Sequence, residues 1–247
     1  MIAAAREGAV ARITLDRPEA HNALDRAAMA ELTGVLDDWA GQDELRVLVL
    51  TGRGRSFCAG AALGEVGADW TDNPLTRLCD VLEAFPVPTI AALNGGVYGG
   101  GVELALACDF RVGGAGMRAF VPPARLGIHY EPAGIARAIE RLGAQMARRM
   151  FLLAESFEAE ALLAAGFLDH LVPAEELEAK ATEMADTVAG LAPLAVRGMK
   201  RTILELCHGR LDARAARARI AACFASADHA EGLAAQRERR APRITGR

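Results

Sequence analysis

The stretch YGGGVELALACD, Tyr98 to Asp109, holds residue types that could do carbonyl chemistry. Gly99 to Gly101 run directly into the helix formers Glu103, Leu104, Ala105 and Leu106. Glycine lets a backbone turn sharply and lets a ligand approach the main chain. The N–H groups in the first turn of a helix have no intrahelical partner, and the dipole there favours negative charge. A developing oxyanion could therefore be held by main-chain donors at this point. Glu103 follows Gly100 by three residues, about one helical turn. A carboxylate and an anion-binding N–H group then share one short segment, a pairing suited to proton transfer beside a carbonyl. A plain tight turn would use the same glycines, so the other motifs must decide.

The elements around this segment alternate. Val10 to Leu15 is a short apolar run closed by the turn signal Asp16-Arg17-Pro18, which predicts a strand. Asp25 can cap a helix from Arg26 to Trp39, where Met29, Leu32, Leu36 and Trp39 recur at helical spacing. Val47 to Leu50 reads as a buried strand ended by the Thr51–Gly54 loop. A helix from Leu75 to Phe85 should stop at the Pro86/Pro88 pair. Thr89 to Leu93 is a second buried strand, and Phe110 to Val112 opens a third. This order predicts an α/β fold with a parallel, helix-covered sheet. From Ala144 through Gln236 the chain reads as almost all helix.

With 247 residues, 52% hydrophobic and 24% charged, the chain can bury a substantial core. A net charge of −4 gives no basic footprint for nucleic acid. The opening MIAAAREGAVARITLD is too polar for a signal peptide, and no run of 18 apolar residues exists for a membrane span. The five cysteines lack CxxC pairing, which fits free thiols in a cytoplasmic, reducing setting. The histidines show no HxxxH or HExxH pattern, so no metal is expected.

Four stretches now stand in order: RPEAHNAL (Arg17 to Leu24), TGRGRSFCAGAAL (Thr51 to Leu63), PVPTIAALNGGVYGGGVELALACD (Pro86 to Asp109) and PPARLGIHYEPAG (Pro122 to Gly134). With the EGLAAQRERRAP tail (Glu231 to Pro242), the chain resembles the crotonase family, the enoyl-CoA hydratase/isomerase superfamily, over nearly its whole length. The resemblance implies an α/β fold with a spiral ββα core over residues 1–190. It also implies a C-terminal α-helical region, 191–247, that builds a homotrimer or a dimer of trimers. It implies an acyl-CoA substrate, with coenzyme A arriving as part of it and no separate cofactor, and so a place in fatty-acid metabolism.

The resemblance also assigns roles. The thioester oxygen would be held by the backbone N–H groups of Ala61, in CAGAAL, and Gly100, in GGG. Fixed donors stabilise an enolate oxygen more than the substrate carbonyl, and losing one typically costs about 3–4 kcal/mol of barrier. The family's hydratases use two glutamates. The first matches Glu103. The second, in a PE(V/I)xLG segment, falls on Pro123, which cannot transfer a proton. Aligned without gaps from Gly127, the segment LGIHYEPAG puts Glu131 where branches similar to dienoyl-CoA isomerase, the ring-epoxide isomerase of phenylacetate breakdown and chlorobenzoyl-CoA dehalogenase carry a functional aspartate. Glu103 and Glu131 are then the expected acid/base pair. Tyr130 matches a tyrosine of methylmalonyl-CoA decarboxylase, although that enzyme has a histidine where Ala61 stands here. CoA would lie against His21, Ala23, Ala59, Ala62 and Leu63, with Arg239 reaching a neighbour's CoA phosphate. The expected reaction is enoyl-CoA hydration or double-bond isomerisation. The alternatives are a decarboxylase or other acyl-CoA lyase using Tyr130, and a catalytically silent CoA-binding protein.

Overall fold

A computed structural model describes residues 1–62, 64 and 73–247. β1 (Ile2–Glu7) and β2 (Val10–Leu15) form an antiparallel hairpin. β2 buries Ala11, Ile13 and Leu15 in alternation, the period-2 pattern of a strand with one covered face. Asp25 then caps α1 (Arg26–Ala40), its Oδ1 accepting the Ala28 N–H at 2.9 Å. Met29, Leu32 and Leu36 turn inward from α1.

One unit, strand–strand–helix, then repeats three times. The first is β3 (Val47–Gly52), β4 (Ser56–Cys58) and α2 (Pro74–Glu83). The second is β5 (Thr89–Leu93), β6 (Gly96–Tyr98) and α3 (Gly100–Ala107). The third is β7 (Phe110–Gly114), β8 (Arg118–Phe120) and α4 (Pro132–Leu152). After them come β9 (Phe157–Glu158), α5 (Ala159–Ala164), β10 (His170–Val172) and α6 (Leu177–Ala189). The chain closes with α7 (Pro193–Cys207), α8 (Ala213–Phe224) and α9 (Ala227–Glu238).

The first strand of each unit enters a large sheet ordered β1-β2-β3-β5-β7-β10, parallel from β2 onward. The second enters a small sheet ordered β4-β6-β8-β9, parallel through β8. This is the expected ββα spiral followed by a helical region. The apolar runs in β3 and β5 are continuous because both faces of the large sheet are covered. Leu48, Leu50, Ala91 and Leu93 join the main core, while Val47, Val49, Ile90 and Ala92 pack with Leu177, Ala181 and Ala185 of α6.

Several expectations are corrected. The second helix spans Pro74–Glu83 rather than 75–85, because Asn73 caps it by accepting the Leu75 N–H at 3.0 Å. The stretch read as helical from Ala144 contains β9 and β10, and α4 is broken at Gly143, whose φ is +78°. β10 exists because the free edge of β7 offers it a ladder. The residue pattern by itself does not predict β1, β4, β6 or β8. β4, β6 and β8 have three residues each, too few to display a period.

α7 is tied to the core by polar contacts. Lys200 Nζ donates to Asp109 Oδ2 at 2.5 Å and to Val87 O at 3.0 Å, and Arg197 Nη2 donates to Leu45 O at 2.7 Å. Met199, Ile203 and Leu206 on the same helix stay 58, 59 and 57% exposed. Among the described residues no helix is long and apolar enough to cross a membrane.

Gly34 lies exposed inside α1, with no atom within 4 Å of the place a Cβ would take. Gly34→Ala should therefore raise stability by about 0.5–1 kcal/mol through the unfolded chain's lost freedom, read as a higher urea midpoint at unchanged slope.

Candidate active site

The parallel strands β4, β6 and β8 end side by side, and each hands its next residues to one cavity. Ala59 and Ala61 follow β4, Gly99 and Gly100 follow β6, and Pro122 and Pro123 follow β8. The repeat of the fold thus builds the site.

Asn22 fixes the first of these ends. It is 1% exposed and left-handed (φ +57°), directly after His21 at φ +52°. Its Nδ2 donates to Ser56 O at 2.8 Å and Phe57 O at 3.1 Å, and its Oδ1 accepts the Arg17 N–H at 2.9 Å. Beyond it, the Ala59 N–H donates to His21 O at 3.0 Å, the Gly60 N–H to Cys58 Sγ at 3.3 Å, and the Ala62 N–H to Leu24 O at 2.9 Å. Among the described residues, the Ala61 N–H has no acceptor. The same holds for the Gly100 N–H, the first of α3, whereas Gly99 donates to Phe120 O at 3.0 Å.

The two free donors come together because Gly60 has no side chain: a Cβ there would lie 2.4 Å from the Gly100 nitrogen. At Gly100 the space a Cβ would need is taken by Leu75, whose Cδ2 would lie 2.3 Å from it. Gly99 takes φ +52°, ψ −120° to start α3, a conformation closed to side-chain-bearing residues. Two unpaired, preorganised N–H groups on one cavity wall form a site that could hold an oxyanion.

α3 is buried throughout, so Glu103 is only 3% exposed while still lining the cavity. Its Oε1 accepts from Arg137 Nη1 at 2.9 Å, and the Tyr130 hydroxyl beside it donates to Gly99 O at 3.5 Å. Burial pushes the Glu103 carboxyl up from its ordinary value, and the Arg137 charge and the neighbouring Tyr130 hydroxyl pull against it. Burial, then the Glu103 charge, pushes the Tyr130 hydroxyl well up, so it stays protonated. The Tyr130 ring packs on Phe151 with centroids 5.0 Å apart. Both groups approach α4 at Gly134, where a Cβ would lie 2.4 Å from the Tyr130 ring and 2.7 Å from Glu103 Oε2.

Glu131 stands at the N-cap of α4, half-buried, on the wall of the same cavity. Pro123 lines it too, at the start of a short 3-10 turn, and offers no proton. The cavity therefore brings together Ala61, Gly100, Glu103, Tyr130 and Glu131. Ala59 lines it as well, but the N–H groups of Ala59 and Ala62 are spent, which leaves their carbonyl oxygens for a ligand. His21 bonds Ser56 Oγ through Nδ1 at 2.8 Å, and Ala23 donates to Ala20 O at 3.0 Å, so both lie in the ordered loop before α1. Arg239 sits at the left-handed C-cap of α9, away from the cavity wall. Leu63 lies outside the described residues, as do residues 65–72. Among the described residues no group of three His, Cys, Asp or Glu side chains is placed to hold a metal ion.

Arg137 escaped sequence reasoning. Its guanidinium, 4% exposed, donates to Glu103, to Glu83 Oε1 at 3.1 Å and to Asp80 Oδ1 at 2.8 Å. Its one sequence signal is position. It falls on the same helical face as Gly134 and Ala138, both buried, where a solvated arginine would not.

The fold and this cavity define an enzyme of the crotonase type, which works on acyl-CoA thioesters. The chain belongs to the enoyl-CoA hydratase/isomerase family, whose model matches residues 5–247. It is 34% identical to 2,3-dehydroadipyl-CoA hydratase of Escherichia coli (strain K12), over 98% of this chain and 97% of the relative. It is 31% identical to the short-chain-enoyl-CoA hydratase of Clostridium acetobutylicum, over 95% and 94%. The crystal structure of an enoyl-CoA hydratase/carnithine racemase from Magnetospirillum magneticum superposes with a TM-score of 0.94 at 29% identity, covering 100% of this chain and 96% of that one.

Ala61→Pro removes a donor that the fold leaves unused, while also fixing φ at 61 and restricting Gly60 before it. It should keep the circular dichroism spectrum and CoA binding but lose about 10²–10³-fold in kcat, while Ala61→Gly, which retains the N–H, should turn over normally. Wild-type turnover in Ala61→Pro would place the oxyanion elsewhere.

Proposed function

We propose that the protein hydrates an enoyl-CoA or shifts its double bond through a thioester enolate. The observation that carries this reading is the convergence of two unpaired main-chain donors and one buried, ion-paired carboxylate on a single cavity. The enolate oxygen accepts from the Ala61 and Gly100 N–H groups. Glu103 acts as the base, because a carboxylate facing a guanidinium at 2.9 Å favours its charged form.

In hydration, Glu103 takes a proton from water as its oxygen adds to the β-carbon. The π electrons then move to the thioester oxygen, and the enolate collapses as the α-carbon takes up a proton. In isomerisation the same carboxylate takes a proton from carbon, and another carbon of the conjugated system receives one. Glu131 is the expected donor. It lies on the cavity wall yet is half exposed, so it can reload from solvent between turnovers. Pro123 leaves that task unfilled on its own side.

Coenzyme A enters as part of the substrate, along the loop of His21 and Ala23 and the carbonyl groups of Ala59 and Ala62. Arg239 on α9, which has no ion-pair partner among the described residues, faces a neighbouring subunit's CoA phosphate in this reading. The exposed stripe of Met199, Ile203 and Leu206, with Ile220 and Phe224 on α8, supports a homotrimer or dimer of trimers. The expected setting is the cytoplasm.

A lyase reading rests on Tyr130, whose protonated hydroxyl lines the cavity beside Glu103. A panel of enoyl-, dienoyl- and malonyl-type thioesters separates the two. Hydration or isomerisation supports the main reading, and carbon dioxide release from a malonyl thioester supports the second.

Glu103→Gln should cut turnover of crotonyl-CoA about 10²–10⁴-fold with little change in CoA affinity. Equal rates for variant and wild type would make Glu103 a purely structural residue.

A further inference from the structure

Glu103 is the inner end of an ion network that runs through the protein to a different surface. Arg137 touches three carboxylates: Glu103 at 3% side-chain exposure, Glu83 at 7% and Asp80 at 59%. Asp80 and Glu83 line a second cavity, with Arg201, His208 and Arg210 around it. The buried guanidinium thus stands between the two cavities.

The groups that face Glu103 and Arg137 come from every neighbouring element. α2 supplies Cys79, Asp80 and Glu83, and the loop before α4 supplies Tyr130. α4 supplies Arg137, Glu140 and Arg141, the last with Nη2 3.8 Å from Glu83. His208, at the C-cap of α7, puts Nε2 3.7 Å from Glu83 and 3.8 Å from Glu140. Cys79 is buried and pushed well up, so it stays a neutral thiol.

A carboxylate as buried as Glu103 would take up a proton unless a fixed cation faced it. Arginine is the side chain that cannot escape by losing its own proton. Yet one guanidinium charge is divided among three carboxylates, two of them buried. What Glu103 receives depends on what Glu83 and Asp80 take. Glu83 has Arg141 and His208 as further partners, but both lie farther from it than Arg137 does.

We propose that Arg137 is a positioning residue that keeps Glu103 ionised and fixes one of its oxygens, and that Glu83 sets how much of the guanidinium's charge reaches the site. This rests on the reading of Glu103 as the base. It makes the α2–α4 contact part of the catalytic apparatus although neither Arg137 nor Glu83 lines the acyl cavity.

The test is the pH profile of kcat/KM for wild type, Arg137→Gln, Arg137→Lys, Glu83→Gln and Glu103→Gln. A base is active above its apparent pKa and fails as pH falls through it. Losing the guanidinium raises that value, so Arg137→Gln should move the acidic limb about 1–3 units to higher pH, and Arg137→Lys should restore part of the shift. Removing the competing charge does the reverse, so Glu83→Gln should move the limb to lower pH. Opposite shifts from two neighbours are not produced by loss of packing. A Glu83→Gln limb at the wild-type pH overturns the proposal, whether or not Arg137→Gln folds. So does an Arg137→Gln variant that is slower at every pH with its limb unmoved. If Glu103→Gln keeps wild-type turnover, the base assignment itself fails. If it loses turnover while the other limbs stay fixed, only the role given to Arg137 and Glu83 fails.

Discussion

The main chain at Gly60 lies against the main chain at Gly100, too close for a Cβ on Gly60. The rest of the site follows from that contact. It forces α3 to begin inside the protein, packed by Gly101 onto Cys58, where a Cβ would lie 2.2 Å from the carbonyl oxygen. A helix so placed is buried on every side, and a carboxylate one turn along it must be buried too. That carboxylate needs a cation, and α4 supplies Arg137. α4 can come near enough only because Gly134 leaves room for the Tyr130 ring and the Glu103 carboxylate.

The spiral topology makes the contact possible. Three parallel short strands end together, so residues some 40 positions apart in sequence meet at one wall, as the Asn94–Gly54 hydrogen bond (40 residues apart) also does. Asn22 then keeps the first strand end in place by spending its amide on the Ser56 and Phe57 carbonyls. Among the described residues, local hydrogen bonding consumes the Ala59, Gly60, Ala62 and Gly99 donors, while the Ala61 and Gly100 N–H groups stay free on the cavity wall. A pair of free donors of this kind is made by subtraction. Donors not needed by the fold are those available to a ligand, and they cost no reorganisation during reaction.

Ion pairs as buried as Arg137 with Glu83 and Glu103 add little net stability, because desolvation offsets most of the Coulomb attraction. Breaking one side leaves an uncompensated charge, which is far more costly. The geometry is thus held firmly without contributing much to folding. The surface pairs at the C-terminus differ. Hydrogen bonds from Arg240 and the Arg243 N–H bring the Glu231 carboxyl down to about 2, yet they fasten only an exposed tail.

Much of the fold was legible in the residues. β2, β3, β5 and the helix capped by Asp25 announced themselves through apolar runs and turn chemistry, which act locally. The three-residue strands and β10 were not legible, since a strand that short takes its conformation from a neighbour's ladder. The candidate site divides the same way. Ala61, Gly99, Gly100, Glu103 and Glu131 could be picked out from motif and spacing. Arg137 could not, because an arginine in a helix ordinarily marks a solvated face. Its partners Glu103 and Glu83 lie 34 and 54 residues away. The sequence by itself determined where the chain turns, which strands are buried and which family the chain resembles, all properties of neighbouring residues. Only the tertiary structure decided which N–H groups stay unpaired and which cation faces the buried carboxylate. Both depend on groups that meet only after the helices have packed.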